Sequence, residues 1–323
     1  MKTLLFVIAT TSIGQVPTSS TSQSDLAAIK IDRGDDLKAN EGQLESRENW
    51  WAIGAWSAGI TGTIFLGGTR AWWDQGYEEF KLRETGWLGK DTYSGGHDKI
   101  GHMWSGYTLL HTLAYVYKFH GMSQEGAMWM SVVMSTLVMN GFEFVDGFTQ
   151  FGFEYADAIA NTAGIALGAL TWIYPSLFDL ISFRLAYVPT NDFLDNETSL
   201  VKFINDYSGQ MYYLDIRGHG VNQLLNRESD WTKYLLAGIA FSTNHYSPVR
   251  RNDLRQRLWG AHVGLDTSKL LEDILPSNTG NNFVRNFFNY YALPFLSVAV
   301  FKDLNSDFWS VNFGLSNRLQ ATF

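Results

Sequence analysis

Seven residues between positions 98 and 161 have the types and spacing to do chemistry: Asp98, Lys99 and His102 in D-K-I-G-H, Glu143 and Asp146 in E-F-V-D, and Asp157 and Asn161 in D-A-I-A-N. On an α-helix, side chains four apart lie one above the other, and those three apart nearly so. Asp98 therefore faces the same way as His102, Glu143 as Asp146, and Asp157 as Asn161. Three such pairs turned to a shared interior would form a buried cluster, and buried charge persists only when paired, hydrogen-bonded or bound to a metal. One imidazole among several carboxylates suits a general acid and base whose pKa values are displaced by burial. It equally suits a hard or borderline divalent metal, the candidate cofactor. The same residues also suit a purely structural use, as helix caps and interhelical hydrogen bonds that fix register. His102, Asp98, Glu143, Asp146 and Asp157 are thus the candidate catalytic groups, with Lys99 and Asn161 completing the cluster. Lys99 points about 100° round the helix from Asp98, toward a neighbouring carboxylate or toward solvent. His111 does not share the face of His102 and reads as a core histidine.

The elements that must position these groups are nearly uncharged runs at 50–69, 100–117, 126–142 and 158–178. Each approaches the roughly 18 to 20 residues that cross a bilayer, so a four-span inner-membrane protein is one alternative. The first run is diluted by Gly54, Ser57, Gly59, Thr61, Gly62 and Gly67, and the fourth by Asn161, Gly164 and Gly168. With a mean hydropathy of -0.11, this favours an exported helical bundle. Ser94-Gly95-Gly96-His97 would deliver Asp98 to the start of its helix, where a carboxylate suits the helix dipole. Glu154 and Asp157 occupy a first turn in the same way.

Beyond about Arg184 the periodicity changes to alternation, the mark of a strand. It is clearest at 309–323 and weaker at 210–217, 233–243, 255–265 and 290–301, with a short helix or turn at 266–275 and a loop at 278–282. The last strand has one apolar and one polar face and ends on Phe323, like the closing strand of an outer-membrane barrel. Five or six strands are too few for the eight of the smallest such barrels. The expected fold class is therefore α+β: a bundle of about four apolar helices over 49–184, then an antiparallel β-sheet or small partial barrel over 185–323. Lys2, the apolar stretch 4–13 and Gly14 read as a signal peptide over 1–14, followed by a polar leader over 15–48.

Composition sets the outer bounds. The chain has 12 Trp, 15 Tyr and 22 Phe among 323 residues, only 17% charged residues and a net charge of -8. No basic stripe is present for nucleic acid, and no polybasic membrane anchor. Abundant aromatics suit surfaces with one apolar and one wet side, which makes membrane lipids the expected partners. There is no cysteine, which excludes disulfides, thiolate metal sites, a cysteine nucleophile and an acylated cysteine within these residues. The chain contains no H-E-x-x-H, P-loop or helix-opening G-x-G-x-x-G. Ala55-Trp56-Ser57-Ala58-Gly59 lacks the strand that a nucleophile elbow needs.

In order and spacing, D-K-I-G-H, E-F-V-D and D-A-I-A-N-T-A-G resemble the YfiM-like family of predicted periplasmic lipoproteins. That family is similar to the VanZ-like membrane proteins, with their D-K-x-x-H, then E, then D-x-x-x-N-x-x-G. The resemblance covers roughly 98–168 and maps the family's polar positions onto Asp98, Lys99, His102, Glu143, Asp146, Asp157, Asn161 and Gly164. Segments 208–214 and 255–259 resemble parts of longer members that append a second half. The chain departs from the lipoprotein label in having no cysteine to acylate. The resemblance implies a location more than an activity: a cell-envelope protein of the outer membrane or periplasm, with the inner membrane as alternative. The expected role is structural, accessory or transport-related. The alternative is a hydrolase of envelope lipids or glycans, either metal-dependent or not. An opening at His102 would favour the enzyme, and a sealed, fully paired cluster the structural role.

Overall fold

Four long helices precede a seven-stranded sheet in the computed structural model, which describes residues 48–71, 73, 76–196, 200–227, 231–246, 254–294, 296–312 and 320–322. The helices are α1 (Trp50–Ala71), α2 (His97–Phe119), α3 (Gln124–Asp146) and α4 (Tyr155–Ile173). The expected signal segment and leader residues 15–47 lie outside the described residues. Ser123 starts α3 by accepting a 3.0 Å bond from the Gly126 amide, an ordinary N-cap. Gly96 precedes α2 with φ at 90°, a left-handed conformation that favours glycine. The turn through it aims Asp98 inward.

α2 is the central helix, buried along most of its length. Its closest neighbour is α4, and the two backbones nearly touch at Gly164, where a Cβ would lie 1.9 Å from the Met103 carbonyl oxygen. That close approach is what sets Asp98 and His102 beside Asp157 and Asn161. Gly164→Ala is accordingly expected to push the helices apart and destabilise the fold by about 1 to 3 kcal/mol. Gly54→Ala, whose Cβ would meet nothing within 4 Å, should be neutral or stabilising by up to about 1 kcal/mol. Thermal unfolding of the two variants side by side checks the contrast.

Among the described residues, α3 and α4 are the two helices long and apolar enough to cross a membrane. Trp129, Val133, Leu137 and Phe144 form an exposed stripe on α3, whereas its Glu143 is buried. A one-turn helix follows α4: α5 (Pro175–Leu180), with proline in its first turn, where a missing N–H costs nothing.

The sheet then runs as a meander, each strand antiparallel to the next: β1 (Ile181–Tyr187), β2 (Gln210–Arg217), β3 (Leu235–Asn244), β4 (Gln256–Leu265), β5 (Ser297–Asp303), β6 (Trp309–Asn312) and β7 (Gln320–Thr322). Short helices α6 (Asn191–Asn196), α7 (Gly218–Leu224), α8 (Thr267–Ile274) and α9 (Thr279–Phe287) fill the connections. Residues Tyr290 to Ala292 lie along the free edge of β1, bonded both ways to Leu185 at 2.9 Å. The main core sits between α2 and the sheet, where Tyr107, Leu110 and Leu113 meet Phe183, Leu185, Tyr212 and Tyr290.

The fold class is α+β, as expected, with three differences in detail. The first strand starts at Ile181 rather than after Arg184, and together with the division of the last run it brings the strand count to seven among the described residues. Its five central residues are all buried, polar Ser182 and Arg184 as well as Phe183 and Leu185, and the strand follows α5 with no residue between, so its short alternation is hidden at the end of the preceding apolar run. Residues 278–282 form not a loop but the start of α9: Asn278 accepts a 2.9 Å bond from the Asn281 amide, and the same asparagines that suggest a loop serve as a cap. The alternating run at 309–323 resolves into two short strands, with 313–319 and 323 outside the described residues.

Candidate functional site

Lys99 lies at the middle of the polar cluster, buried to 4% exposure. Its Nζ stands 2.5 Å from Glu154 Oε2, 2.7 Å from Asp157 Oδ1 and 3.3 Å from Asp98 Oδ2. His102 faces the other oxygen of each aspartate: Nε2 is 3.7 Å from Asp98 Oδ1 and 4.0 Å from Asp157 Oδ2. On the far side of the ring, Nδ1 is 3.0 Å from Asn161 Oδ1 and 3.6 Å from Glu143 Oε1. The Asn161 amide nitrogen donates to Met139 O and Asn140 Oδ1 at 3.3 and 3.4 Å. That orients its oxygen toward His102 and makes Nδ1 the donor of their bond. Nε2 is thus the ring atom left facing the gap between the two aspartates.

Two helix pairs build this arrangement. α2 supplies Asp98, Lys99 and His102, α4 supplies Asp157 and Asn161 across the glycine crossing, and α3 brings in Glu143. Asp146 does not join them. It accepts a hydrogen bond from the Trp73 indole at the margin of the cluster, although the three-residue spacing from Glu143 puts both on one side of α3. Lys99 turns to neighbouring carboxylates rather than to solvent.

Sequence reasoning missed three further members. Glu154 takes the ammonium and also accepts from Thr85 Oγ1 at 2.8 Å. Its place three residues before Asp157 was a usable signal. Tyr207, from the turn before β2, donates to Asp98 Oδ1 at 3.2 Å, and the Tyr93 hydroxyl lies 3.5 Å from that of Tyr207. Nothing local to either tyrosine marks it.

Carboxylates outnumber cations here, and the ionisation equilibria follow. Burial raises Glu143 to about 8, Asp157 to about 7 and Asp146 to about 6, in each case against the pull of His102. Burial alone would lower His102, but Asp157, Asp98 and Glu143 outweigh it and push the imidazole to about 10. Burial would likewise lower Lys99, and Asp98 and Asp157 more than reverse this. Asp98 is pushed up by burial, yet His102 and Lys99 hold it below its ordinary value. At neutral pH the site therefore contains an imidazolium, an ammonium, an ionised Asp98 and a protonated Glu143, with Asp157 raised toward neutrality beside Nε2. A group that titrates near the working pH is the one suited to exchange a proton, which here is Asp157.

The same atoms suit a metal ion. One ligand atom each from Asp98, His102 and Asp157 lies within 4.8 Å of the others, and Asn161 behind Nδ1 is the kind of outer partner that orients a ligating histidine. A metal bound there would first have to displace the imidazolium proton.

Residues 84–173 match the family described as predicted periplasmic lipoprotein (DUF2279). The matched segment contains the whole polar cluster except Tyr207, together with α2, α3 and α4. It supports a cell-envelope or periplasmic location for a protein of uncharacterised activity. No curated protein and no solved structure matches the chain.

The cluster is not sealed. The His102 side chain is 20% exposed, against 11% for Asp98, 6% for Asp157 and 2% for Glu143, so the imidazole forms the outer wall. The remaining histidines within the core have structural partners. His111 bonds Thr171 at 2.9 Å and is driven by burial down to about 3. His97 bonds Gln210 and Thr243 at 3.1 and 3.3 Å and is driven to about 4.

Proposed function

We propose that this protein is a cell-envelope hydrolase or group-transfer enzyme acting on an envelope lipid or glycan, with Asp157 exchanging the proton and His102 serving as a fixed imidazolium. The observation that carries this reading is the slack contact of His102 Nε2 in a side chain that is itself 20% exposed. No carboxylate oxygen lies closer to it than 3.7 Å, while Nδ1 is pinned by Asn161. An anionic substrate oxygen entering beside His102 would be met by Nε2–H, a charge-assisted donor already aimed. As water adds and the bond to the leaving oxygen breaks, Asp157 supplies the proton that oxygen needs and recovers one from the water. A sealed, fully satisfied cluster would have favoured an accessory or structural role. Kinship with the YfiM-like and VanZ-like proteins and a place at the outer membrane belong to this proposal, as do membrane lipids as partners. A helical domain over 49–184 and a β domain over 185–323 also belong to it.

His102→Gln and Asp157→Asn, assayed on a panel of envelope phospholipids and glycans, are expected to lose about 10²- to 10⁴-fold in turnover while keeping the wild-type circular dichroism. Wild-type protein without turnover on the panel, or folded variants as active as wild type, would leave the cluster as structural. The three convergent ligand atoms favour a second reading, a bound divalent metal. Metal analysis decides it: stoichiometric metal in wild type that is lost from Asp157→Asn would replace the imidazolium account.

A further inference from the structure

Beyond α2 the sheet turns apolar residues to solvent and encloses polar ones on its other face. In a soluble protein the apolar face of an antiparallel sheet turns to the core and the polar face to water. Here the inward face is mixed: beside a small apolar cluster that includes Met211, Tyr213, Leu258 and Phe301, it carries Ser182, Arg184, Asp215, His262, Ser310 and Asn312, all buried. Arg184 and His262 both bond Asp215, at 2.6 and 2.8 Å. Among the described residues, Ser182 Oγ, Arg184 Nε, His262 Nε2, Ser310 Oγ and both side-chain polar atoms of Asn312 have no protein partner, and buried polar atoms of this kind are met by water. The outward face carries Ile216, Ile239, Val263, Val298, Val300 and Trp309, each between 42 and 55% exposed.

Helix α2 covers part of the outward face, where Tyr107 packs on Phe183 and Trp104 on Tyr212. Beyond it, the outward positions of β2 to β5 from Ile216 to Val300 carry no charge. Cations appear at the margin, where Arg257 bonds Asn305 and the Leu88 carbonyl oxygen and Lys302 Nζ stands 5.9 Å over the Trp309 ring. An uncharged band bordered by a lysine and a tryptophan complements hydrocarbon topped by anionic headgroups, and a polar interior within an apolar exterior is the pattern of sheets that face lipid.

We infer that the outward face of β2 to β6 beyond α2 is a bilayer-contacting surface, with Lys302 and Trp309 at headgroup level. The inference is independent of the chemistry at His102, and His102→Gln should bind vesicles like wild type.

The test uses the purified full chain and vesicles of phosphatidylethanolamine and phosphatidylglycerol. Wild type is expected to co-float with them. Val263→Asp combined with Val300→Asp, on adjacent strands, should lower the bound fraction by about tenfold or more, whereas Leu224→Asp, exposed at the end of α7 and outside the strands, should not. Because the chain has no cysteine, Val263→Cys can take a single polarity-sensitive fluorophore without unsettling the face. Its emission should shift to the blue on vesicle addition, and that from Leu224→Cys should stay put. Absence of co-flotation, an unaffected Asp pair or an unshifted Val263 probe would overturn the inference. So would a lipid-free wild-type dimer that the Asp pair makes monomeric, since a second copy of the chain would then cover this face.

Discussion

Replacing Lys99 by methionine is expected to destabilise the protein by about 3 to 5 kcal/mol, the largest effect of any single substitution considered for this chain. Methionine fills a similar volume but leaves Glu154, Asp157 and Asp98, now 2.5 to 3.3 Å from the ammonium, without their common cation. The cost of breaking a buried pair lies in the charge left behind rather than in the lost attraction. Lys99→Met combined with Glu154→Gln and Asp157→Asn should therefore recover much of the loss. The Lys99→Met defect should also shrink in mild acid, where the stranded carboxylates take up protons. Urea unfolding followed by circular dichroism measures all three. A single-variant loss below about 1 kcal/mol, the level of an exposed ion pair, would show that Lys99 is solvated rather than central.

The second large effect is on the pH profile of stability. Folding raises Glu143 from 4.5 to about 8, Asp157 from 3.8 to about 7, Asp146 from 3.8 to about 6 and His102 from 6.5 to about 10. A group whose value is raised on folding contributes stability that is complete below the unfolded value and lost as pH rises through the folded one. All four shifts have that sign, so together they weaken the fold as pH rises from about 4 to about 10, with the three acids acting below about 8 and His102 acting from about 6.5 upward. Asp98, Asp215 and Asp266 are held below their ordinary values. They act in the opposite sense in the acid range near and below 3.8, and His97 and His111, lowered by burial from 6.5 to about 4 and about 3, do so below 6.5, so the loss is partly offset there and steepest between about pH 6.5 and 8. Thermal unfolding across this range checks the profile. Glu143→Gln should be more stable than wild type at pH 8, where the native carboxyl is forced to ionise, and about equal to it near pH 4.5. Stability that is flat or rises between those values would contradict the buried, cation-poor site.

The helical part of the site was legible because an α-helix converts spacing into direction. Asp98 and His102, four apart, do face one gap, and Asp157 and Asn161 stand opposite them. Direction along a helix does not reveal what meets it from elsewhere. Asp146 shares a side of α3 with Glu143, but Trp73, from the segment after α1, takes its carboxylate and holds it at the margin. The course of the long Lys99 side chain is set by Glu154 and Asp157 on another helix. Tyr207 reaches Asp98 from 109 residues away, through the docking of β2 on α2, and no local pattern announces it. In the sheet, β2 and β4 alternate and are legible nearly to the residue, whereas the alternation of β1, Ile181-Ser182-Phe183-Arg184-Leu185, follows α5 with no turn between and is lost in the apolar run before it. The alternation that marked the strands also says which face is apolar. It does not say that this face turns outward, which only the packing of α2 and the inward course of Arg184, Asp215 and His262 reveal.

The most direct measurement is the titration of the His102 ring by nitrogen-15 NMR on histidine-labelled protein, with its signals assigned by their absence from His102→Gln. If Asp98, Glu143, Asp157 and Asn161 enclose the imidazole, His102 will remain doubly protonated through neutrality and lose its proton only near pH 10. A ring that titrates near 6.5, as a solvent-facing histidine does, would show that the carboxylates do not converge on it.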